Sequence, residues 1–340
     1  MQNLRITLAR RPVGAPTPAD FAIGHAEVPE PSEGQLLLQV LYLSLDPYMR
    51  GRMSAAKSYA EPVAIGAVME GGTVARVLKS RHPDFADGDY VLSHSGWQSY
   101  AISDGTGLRK LDPAEAPLST ALGILGMPGF TAYAGLLTIG RPKEGETVVV
   151  AAASGPVGAT VGQIARLKGA RAVGIAGGEA KCRFVREELG FDAVVDHRAP
   201  DFADQLQNAC PEGIDVYFEN VGGHVWNAVF PLLNPFARIP VCGLISQYND
   251  ATGAHAGPDR LPLVMRDVLG KSLNIRGFIQ REFIDQRPDF YREMSSWIRD
   301  GKVRYREDIV DDLENAPEAF IGLLEGRNFG TLVVRLASDD

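Results

Sequence analysis

The stretch "VVVAAASGPVGATVGQ", from Val148 to Gln163, decides how this chain folds. A short apolar run is followed by a cluster of small residues and then by apolar residues at helical spacing. Gly169 lies where the C-terminal cap of such a helix would fall. The stretch therefore predicts a strand, a tight turn and a helix in succession.

The turn has the pattern of a phosphate-binding glycine motif. Residues 153–158 match GxGxxG except that Ala153 replaces the first glycine. A dinucleotide fold needs small residues here, because the turn is tight, the pyrophosphate approaches the backbone, and the helix packs closely on the strand. The alternative is a turn that only packs. The predicted pyrophosphate-binding residues are Ser154, Gly155, Pro156, Val157 and Gly158.

The rest of the chain predicts an α/β protein with a second, β-rich part. From Glu146 onward, apolar runs alternate with helical stretches, which indicates βαβ units and a doubly wound parallel sheet of the Rossmann type. Residues 1–125 instead contain short β-like runs such as "QLLLQVLYLSL" (Gln35 to Leu45), separated by Gly and Pro. The last apolar run, "TLVVRL" (Thr331 to Leu336), is expected to return to the N-terminal part.

The end of the second strand of the alternating region indicates which dinucleotide binds. Sites for NAD usually carry Asp or Glu about 20 residues after the glycine motif, bonded to the ribose 2′-hydroxyl. Here Gly177 and Gly178 occupy that place, and Lys181 and Arg183 follow. A lysine can pair with a 2′-phosphate, so we predict NADP(H). Glu179 keeps NAD open as the alternative, and Lys181 could also be an ordinary solvated lysine.

Composition excludes several other classes of protein. The chain has 340 residues, of which 45% are hydrophobic and 22% charged, as in an ordinary two-domain globular protein. A formal net charge of −8 argues against a nucleic-acid partner. The N-terminus "MQNLRITLAR" has no signal-peptide core, and no segment reaches the roughly 20 apolar residues that span a bilayer. We therefore expect a cytoplasmic protein with no membrane partner.

The cysteines predict neither disulfides nor a cysteine-rich zinc site. The three residues of this type, Cys182, Cys210 and Cys242, are widely spaced and form no CxxC pair. Buried, inert thiols are the expectation.

Several segments, taken in order, resemble one known family. They include "SLDPYMRGRM" (Ser44 to Met53), "LGMPGFTAYAGLL" (Leu125 to Leu137), "YFENVGG" (Tyr217 to Gly223), "CGLISQYN" (Cys242 to Asn249) and "GRNFGTLVV" (Gly326 to Val334). With them the chain resembles a zinc-free medium-chain dehydrogenase/reductase over nearly its whole length. Within that group it is similar to the leukotriene B4 12-hydroxydehydrogenase/prostaglandin reductase family, which includes bacterial curcumin and alkenal reductases.

This resemblance implies a fold and domain limits. The fold is a GroES-like catalytic domain over residues 1–125 and 305–340, with a Rossmann NADP-binding domain over residues 126–304. Zinc alcohol dehydrogenases carry an early Cys ligand and a GHE motif, where this chain has Ser44-Leu45-Asp46 and "GAVMEGG". We expect no metal site. Hydride transfer to a conjugated double bond needs no zinc, because hydrogen bonds can stabilise an enolate.

The resemblance also implies further cofactor contacts. Lys181 corresponds to the family's 2′-phosphate lysine, and His197 replaces a tyrosine that touches the same phosphate. Asn220 belongs to the turn at the cofactor, and Asn328 reaches back from the C-terminal segment. The loop beside the nicotinamide ribose and the cover of the nicotinamide contribute Cys242, Gly243, Ile245, Ser246, Tyr248, Phe278 and Ile279.

Tyr248 is the predicted catalytic residue, and Tyr48 and Met127 are expected to line the substrate cleft. The implied reaction is NADPH-dependent reduction of the C=C bond of an α,β-unsaturated ketone or aldehyde, including 15-oxo-prostaglandin-type substrates. Hydride goes to the β-carbon, and Tyr248 and the cofactor ribose hydroxyl stabilise the enolate. A quinone oxidoreductase of the same superfamily and a non-catalytic NADPH-binding protein remain the alternatives. The resemblance implies a homodimer.

Overall fold

A computed structural model describes residues 2–250 and 259–338. The described chain forms two compact units. The first comprises Met1–Gly123, Tyr248–Ala251 and Glu307–Asp340, and the second comprises Ile124–Gln247 and Thr252–Arg306, as far as these ranges are described. Within the described ranges, no helix combines the length and the apolar character needed to cross a bilayer.

Strands make up most of the first unit and the centre of the second. Their bounds are β1 Gln2–Leu8, β2 Phe21–Glu27, β3 Leu36–Leu45, β4 Thr73–Ser80, β5 Tyr90–Ser93, β6 Tyr100–Ser103, β7 Arg109–Leu111, β8 Thr147–Ala151, β9 Arg171–Ala176, β10 Ala193–Asp196, β11 Ile214–Phe218, β12 Leu233–Val241, β13 Asn274–Gly277, β14 Glu307–Asp311 and β15 Thr331–Arg335.

Helices are concentrated in the second unit. Their bounds are α1 Met49–Arg52, α2 Met127–Ala134, α3 Pro156–Leu167, α4 Glu179–Arg183, α5 Phe202–Ala209, α6 Gly223–Val229, α7 Leu261–Gly270, α8 Arg287–Arg299 and α9 Ala316–Leu324. Helix α2 continues as a π-helical turn over Gly135–Gly140, and α4 does so over Phe184–Glu188.

The first unit is built on a mainly antiparallel sheet with the strand order β14-β15-β3-β4-β5-β7, in which β6 also pairs with β3. Strand β15 pairs antiparallel with β3, so the C-terminal segment completes the sheet that the N-terminal residues begin. The rings of Phe21 and Trp97 stack 5.6 Å apart, and Phe320 of α9 packs edge-on against both. These aromatic contacts anchor the core of this unit.

The second unit contains a six-stranded parallel sheet with the order β10-β9-β8-β11-β12-β13. From β8 the next strands along the chain, β9 and β10, lie on one side, and β11 to β13 lie on the other side. Ligands bind at such a switch point, beyond the carboxyl ends of the strands. Every residue of β8 is buried, because helices cover both faces of a parallel sheet. The predicted doubly wound α/β fold is therefore confirmed.

Two local features differ from what the sequence indicates. The pattern of residues 119–140 predicts a helical stretch that breaks at Pro128, but α2 begins at Met127 with Pro128 in its first turn. Proline fits there because the first-turn N–H groups have no partner within the helix. The helix α8 was missed, since its thirteen residues are strongly polar and only Phe290 and Met294 are buried.

Candidate functional site

Backbone atoms close the turn between β8 and α3. Gly155 precedes α3, and its N–H donates to the carbonyl oxygen of Ala152 at 2.9 Å. Ala152 itself has a left-handed backbone, with φ of 54°. A β-carbon on Gly158 would lie 2.3 Å from the same carbonyl oxygen. The turn is bare because helix and strand approach each other too closely at Gly158 for any side chain.

This turn fits the pyrophosphate of a dinucleotide. Helix α3 begins without a side-chain cap in the described contacts, so its partial positive charge faces the end of β8. A phosphate placed there meets backbone N–H groups rather than side chains. Of the predicted residues, Ser154 and Gly155 lie in this turn, and Pro156, Val157 and Gly158 begin α3. Their contact with a pyrophosphate remains a prediction.

The two residues that follow β9 are glycines, so no side chain projects from the backbone there. Gly177 and Gly178 follow the strand, and Gly178 has φ of 89°, which favours glycine. The Asp196 carboxylate accepts hydrogen bonds from the N–H groups of Gly178 and Arg198, each at 2.9 Å. Burial alone would raise the pKa of Asp196, but these N–H groups and the neighbouring bases lower it overall. The carboxylate therefore holds the loops after β9 and β10 together.

Two basic side chains close over this bare strand end. A β-carbon on Gly177 would lie 2.7 Å from His197 Nε2 and 3.0 Å from Arg198 Nε. At this strand end an NAD-specific site carries its acidic residue. Here an imidazole and a guanidinium face the space instead, and both can bind a phosphate oxygen. The arrangement fits a 2′-phosphate better than a free 2′-hydroxyl.

Burial lowers the pKa of His197, and the nearby His224 and Arg198 lower it further. The imidazole is therefore neutral at neutral pH and donates from only one of its two ring nitrogens. Sequence reasoning did not assign any role to His224, which lies on α6.

Glu179 and Lys181 both lie on α4. The Glu179 carboxylate pairs with Arg183 of the same helix at 2.6 Å, and both side chains are exposed. Because it is engaged with Arg183, Glu179 is poorly suited to the ribose contact that would favour NAD. Lys181 is half-buried on the same helix, and its pairing with a 2′-phosphate stays a prediction.

The loops that follow β11 and β12 are tied to each other. The N–H groups of Ile245 and Ser246 donate to the carbonyl oxygens of Asn220 and Val221, at 3.2 and 3.1 Å. The Asn220 side-chain amide donates to the carbonyl oxygen of Ala151, at the end of β8, at 2.8 Å. The loops after β11 and β12 therefore lie with the glycine turn at the carboxyl ends of the strands. They contain the predicted residues Asn220, Cys242, Gly243, Ile245 and Ser246.

Glu219 is a buried acid at this edge that the sequence analysis missed. Its carboxylate accepts hydrogen bonds from the N–H groups of Val221 at 2.6 Å and Gly222 at 2.9 Å. Its carbonyl oxygen accepts the N–H of Cys242 at 2.9 Å. Burial raises the pKa of Glu219, although the N–H groups oppose that shift. An acid directly after the apolar residues Val216 to Phe218, in "DVYFEN", was the available signal.

Cys242 does not offer a reactive thiolate. Burial, together with the nearby Glu219, raises the pKa of its thiol to about 12. The thiol is protonated at neutral pH and can contribute to the loop only as a packed, weakly polar group.

Phe278 and Ile279 follow β13. The Phe278 ring is buried, edge-on to Phe218 with centroids 6.1 Å apart, and close enough to Gly135 that a β-carbon there would meet it at 2.4 Å. The Phe278 side chain is therefore packed inside the second unit, and its contact with a cofactor remains a prediction. Met127, at the start of α2, is half-buried, and its carbonyl oxygen accepts the Thr131 hydroxyl at 2.7 Å.

In the first unit, Tyr48 precedes α1 and is half-buried. Burial raises the pKa of its phenol, and Asp46 and Glu70 add to that shift. The Arg52 guanidinium lies 5.8 Å from the centroid of the Tyr48 ring. Burial also raises the pKa of Asp46 to about 6. Tyr48 is thus a neutral hydroxyl beside ionisable neighbours.

An arginine anchors the segment that carries Tyr248. Arg50, which is 4% exposed, donates from Nε to the Asn249 side-chain oxygen at 3.1 Å and from Nη2 to the Gly14 carbonyl oxygen at 2.8 Å. Asn249 directly follows the half-buried Tyr248. The position of the predicted catalytic phenol is therefore linked to α1, next to Tyr48.

Asn328 lies just before β15 in the first unit. Its amide donates to the Gly330 carbonyl oxygen at 3.0 Å, and it lines a shallow pocket with Asp308 and Glu318. Its contact with a cofactor remains a prediction. Among residues 2–250 and 259–338, no three His, Cys, Asp or Glu side chains are grouped as a metal ion would need.

The parallel sheet, the glycine turn and the basic groups over Gly177 define a dinucleotide-binding oxidoreductase fold. Residues 4–111 match the family described as the N-terminal domain of oxidoreductase, and residues 156–300 match the zinc-binding dehydrogenase family. The chain belongs to the medium-chain dehydrogenase/reductase family, in the branch that contains the curcumin and prostaglandin reductases.

Individual relatives resemble the chain over its full length. The NADPH-dependent curcumin reductase of Escherichia coli (strain K12) is 60% identical, over 100% of this chain and 98% of the relative. Prostaglandin reductase 1 of Bos taurus is 42% identical, over 97% of this chain and 98% of the relative. The crystal structure of CurA in complex with NADPH from Vibrio vulnificus has a TM-score of 0.96 at 56% identity, over 98% of this chain and 99% of that chain.

Proposed function

We propose that this protein uses NADPH to reduce the C=C bond of α,β-unsaturated ketones and aldehydes, with enones, alkenals and 15-oxo-prostaglandin-type compounds as the substrate class. The observation that carries the proposal is the full-length likeness to an NADPH-dependent curcumin reductase. The basic groups over Gly177 support the choice of NADPH over NADH, because they replace the acid that an NAD site would place there.

Three parts of the second unit would hold the cofactor. The glycine turn would bind the pyrophosphate through backbone N–H groups, and Lys181, His197 and Arg198 would surround the 2′-phosphate. The tied loops after β11 and β12 would support the nicotinamide end. When bound, NADPH supplies the hydride, and the protein contributes binding, orientation and exclusion of water.

Tyr248 is proposed to act on the substrate oxygen. As the β-carbon is reduced, negative charge develops on the carbonyl oxygen, and a phenol O–H can donate a hydrogen bond to it. The ribose hydroxyl of the cofactor is the proposed second donor. The α-carbon then takes a proton from solvent or from Tyr248. Arg50 would keep the Tyr248 segment in place through Asn249.

The proposal is tested by following oxidation of NADPH with purified protein, in buffer with a chelator, against an enone, an alkenal, a 15-oxo-prostaglandin, a benzoquinone and simple alcohols. We expect turnover with the conjugated carbonyls, unchanged by the chelator. Tyr248→Phe should lower kcat by about 100-fold, the typical effect of removing one such donor, while the Kd for NADPH changes little. Tyr59→Phe is the control, since Tyr59 is an exposed tyrosine with no proposed role.

Other outcomes would select the alternatives. Turnover with the benzoquinone alone would indicate a quinone oxidoreductase. Tight NADPH binding without turnover on any compound of the panel would favour a non-catalytic NADPH-binding protein. Reduction that depends on NADH, or oxidation of simple alcohols, would contradict the proposal.

We further propose that the protein forms a homodimer through the second unit. Strand β13 is an edge strand whose residues are all exposed. Helix α7 presents exposed apolar side chains, including Met265 and Leu269, which are 57% and 83% exposed. Such an edge and such a patch are suited to pairing with a second copy. Light scattering on the wild type should give twice the mass of one chain, and Leu269→Asp should shift it toward the monomer.

A further inference from the structure

Two histidines from different elements meet above the bare end of β9. The Nδ1 atom of His197, which follows β10, lies 3.2 Å from Nε2 of His224 on α6, and the ring centroids are 5.2 Å apart. The same Nε2 of His224 lies 3.3 Å from the backbone carbonyl oxygen of His197. One nitrogen of His224 is therefore close to two atoms of His197, a ring nitrogen and a carbonyl oxygen.

The carbonyl oxygen decides which ring carries the proton between them. A carbonyl oxygen can only accept, so an unprotonated Nε2 of His224 beside it would place two lone pairs together. A protonated Nε2 of His224 can donate to the carbonyl oxygen and to His197 Nδ1. His197 Nδ1 is then the acceptor, and the proton of its neutral ring lies on Nε2.

This proton points to the place where a 2′-phosphate would lie. His197 Nε2 is the atom that would lie 2.7 Å from a β-carbon on Gly177, beside Arg198 Nε at 3.0 Å. With the opposite tautomer, His197 Nε2 would present a lone pair to a phosphate and repel it. From helix α5, Phe202 packs edge-on against the His224 ring with centroids 6.1 Å apart.

We propose that His224 is a specificity-determining residue: it donates to His197 Nδ1, directs the Nε2–H of His197 to the 2′-phosphate of the cofactor, and so favours NADPH over NADH. This inference rests on the proposed NADPH site, but not on the substrate or on Tyr248. His224 is a positioning residue, since it acts through His197.

The arrangement makes recognition of the 2′-phosphate depend on pH in a defined way. The titratable or charged groups that face His197 are Asp196 and Arg198 from its own segment and His224 from α6. Gly177, which follows β9 and faces the His197 ring, carries no charge. At low pH a doubly protonated His197 donates from Nε2 whatever His224 does. At high pH His197 is neutral, and its tautomer depends on His224.

The experiment is calorimetric titration of adenosine 2′,5′-bisphosphate into the full-length protein between about pH 5.5 and about pH 8.5, a range that spans histidine titration. His224→Ala should raise the Kd for the bisphosphate about tenfold at the highest pH, as expected for a lost hydrogen bond to a charged group. This difference in Kd from the wild type should shrink as the pH is lowered. His224→Gln should restore the affinity, because its amide Nε2 can also donate. Adenosine 5′-monophosphate should bind all three proteins alike. His25→Ala is the control, since His25 is exposed on β2.

A loss that is independent of pH, or equal for both nucleotides, would mean that His224 only supports the local fold, and the inference would be overturned. Wild-type enone reduction with NADPH, combined with unchanged nucleotide binding in His224→Ala, would overturn the inference alone. The expected binding pattern without any enone reduction would support the inference and overturn the proposed substrate class.

Discussion

Two strand ends of the parallel sheet, at which we propose that the cofactor phosphates bind, present different chemical groups. At the end of β8, the turn offers backbone atoms and a helix N-terminus, and Gly158 leaves no space for a side chain. At the end of β9, the backbone is again bare at Gly177, but His197 and Arg198 reach over it from the next loop. In the proposed site, the first end would bind any pyrophosphate, whereas the second would distinguish one dinucleotide from another.

This difference predicts which of the two strand ends tolerates amino-acid substitutions. Backbone recognition depends on close approach, so a substitution at Gly158 should damage binding and folding together. Side-chain recognition depends on charge and proton position, so substitutions near Gly177 should alter cofactor preference while leaving the fold intact. Each prediction below tests one side of this contrast.

The largest effect is expected at the glycine turn. Gly158→Ala would place a β-carbon 2.3 Å from the Ala152 carbonyl oxygen, so strand and helix must move apart. Overpacking of this kind costs about 1–3 kcal/mol of stability. We expect a lower Tm, measured by calorimetry, and loss of measurable NADPH binding, measured by protein fluorescence.

Gly155→Ala is the matched control for that substitution. Its β-carbon would lie 3.3 Å from the same carbonyl oxygen, a contact that a small shift can relieve. The Tm should fall much less than in Gly158→Ala. Equal Tm values for the two variants would show that close approach at Gly158 does not determine the turn.

A carboxylate at the end of β9 should reverse cofactor preference. Gly177→Asp would set a negative charge beside His197 and Arg198, where it neutralises them and repels a 2′-phosphate. Losing charge-assisted contacts of this strength should raise the Kd for NADPH by about 100-fold, with NADH unchanged or tighter. Gly177→Asn has the same shape without the charge, so it should keep the preference for NADPH; an equal loss in both variants would refute the electrostatic explanation.

A smaller effect concerns stability and pH. The pKa of His197 is lower in the folded protein than its ordinary value, mainly through burial, so the unfolded chain binds the proton more readily. Neutral His197 makes its full contribution to the free energy of unfolding above the ordinary histidine pKa of about 6.5. This contribution is lost as the pH falls through the pKa that His197 has in the folded protein. Cofactor-free wild type should lose more Tm on acidification than His197→Gln, and parallel curves would contradict this assignment.

The smallest effect is expected at Glu179. Its carboxylate is paired with Arg183 on an exposed helix face, where such a pair contributes about 0.3–0.5 kcal/mol. Glu179→Gln should change the ratio of NADPH to NADH affinity by less than about twofold. A large gain in the preference for NADPH would mean that Glu179 reaches the ribose after all.

Periodicity and small-residue spacing were sufficient to predict the parallel sheet. The strand at residues 147–151, the glycine turn and α3 lie where the sequence placed them, because each has a strong local signal. Helix α8 was missed because its apolar face is narrow, and the role of Pro128 was misjudged because a proline within an apolar helical stretch can begin a helix as well as break one.

The candidate site could be predicted only where its parts are local in sequence. The glycine turn is one continuous motif, whereas the cluster over Gly177 joins residues from the loops after β9 and β10 and from α6. The contact between His197 and His224 spans 27 positions and depends on how α6 packs against the loop after β10. Glu219 was missed for a similar reason, since its partners become evident only when the turn is folded.

The most direct test of the central claim follows the hydride itself. Wild-type protein would be incubated with an α,β-unsaturated ketone and NADPH that carries deuterium at C4 of the nicotinamide, and the product examined by NMR. The account predicts a saturated ketone with deuterium on the β-carbon and an intact carbonyl group. Deuterium on the carbonyl carbon of an alcohol product would contradict it, because the protein would then be reducing C=O rather than C=C.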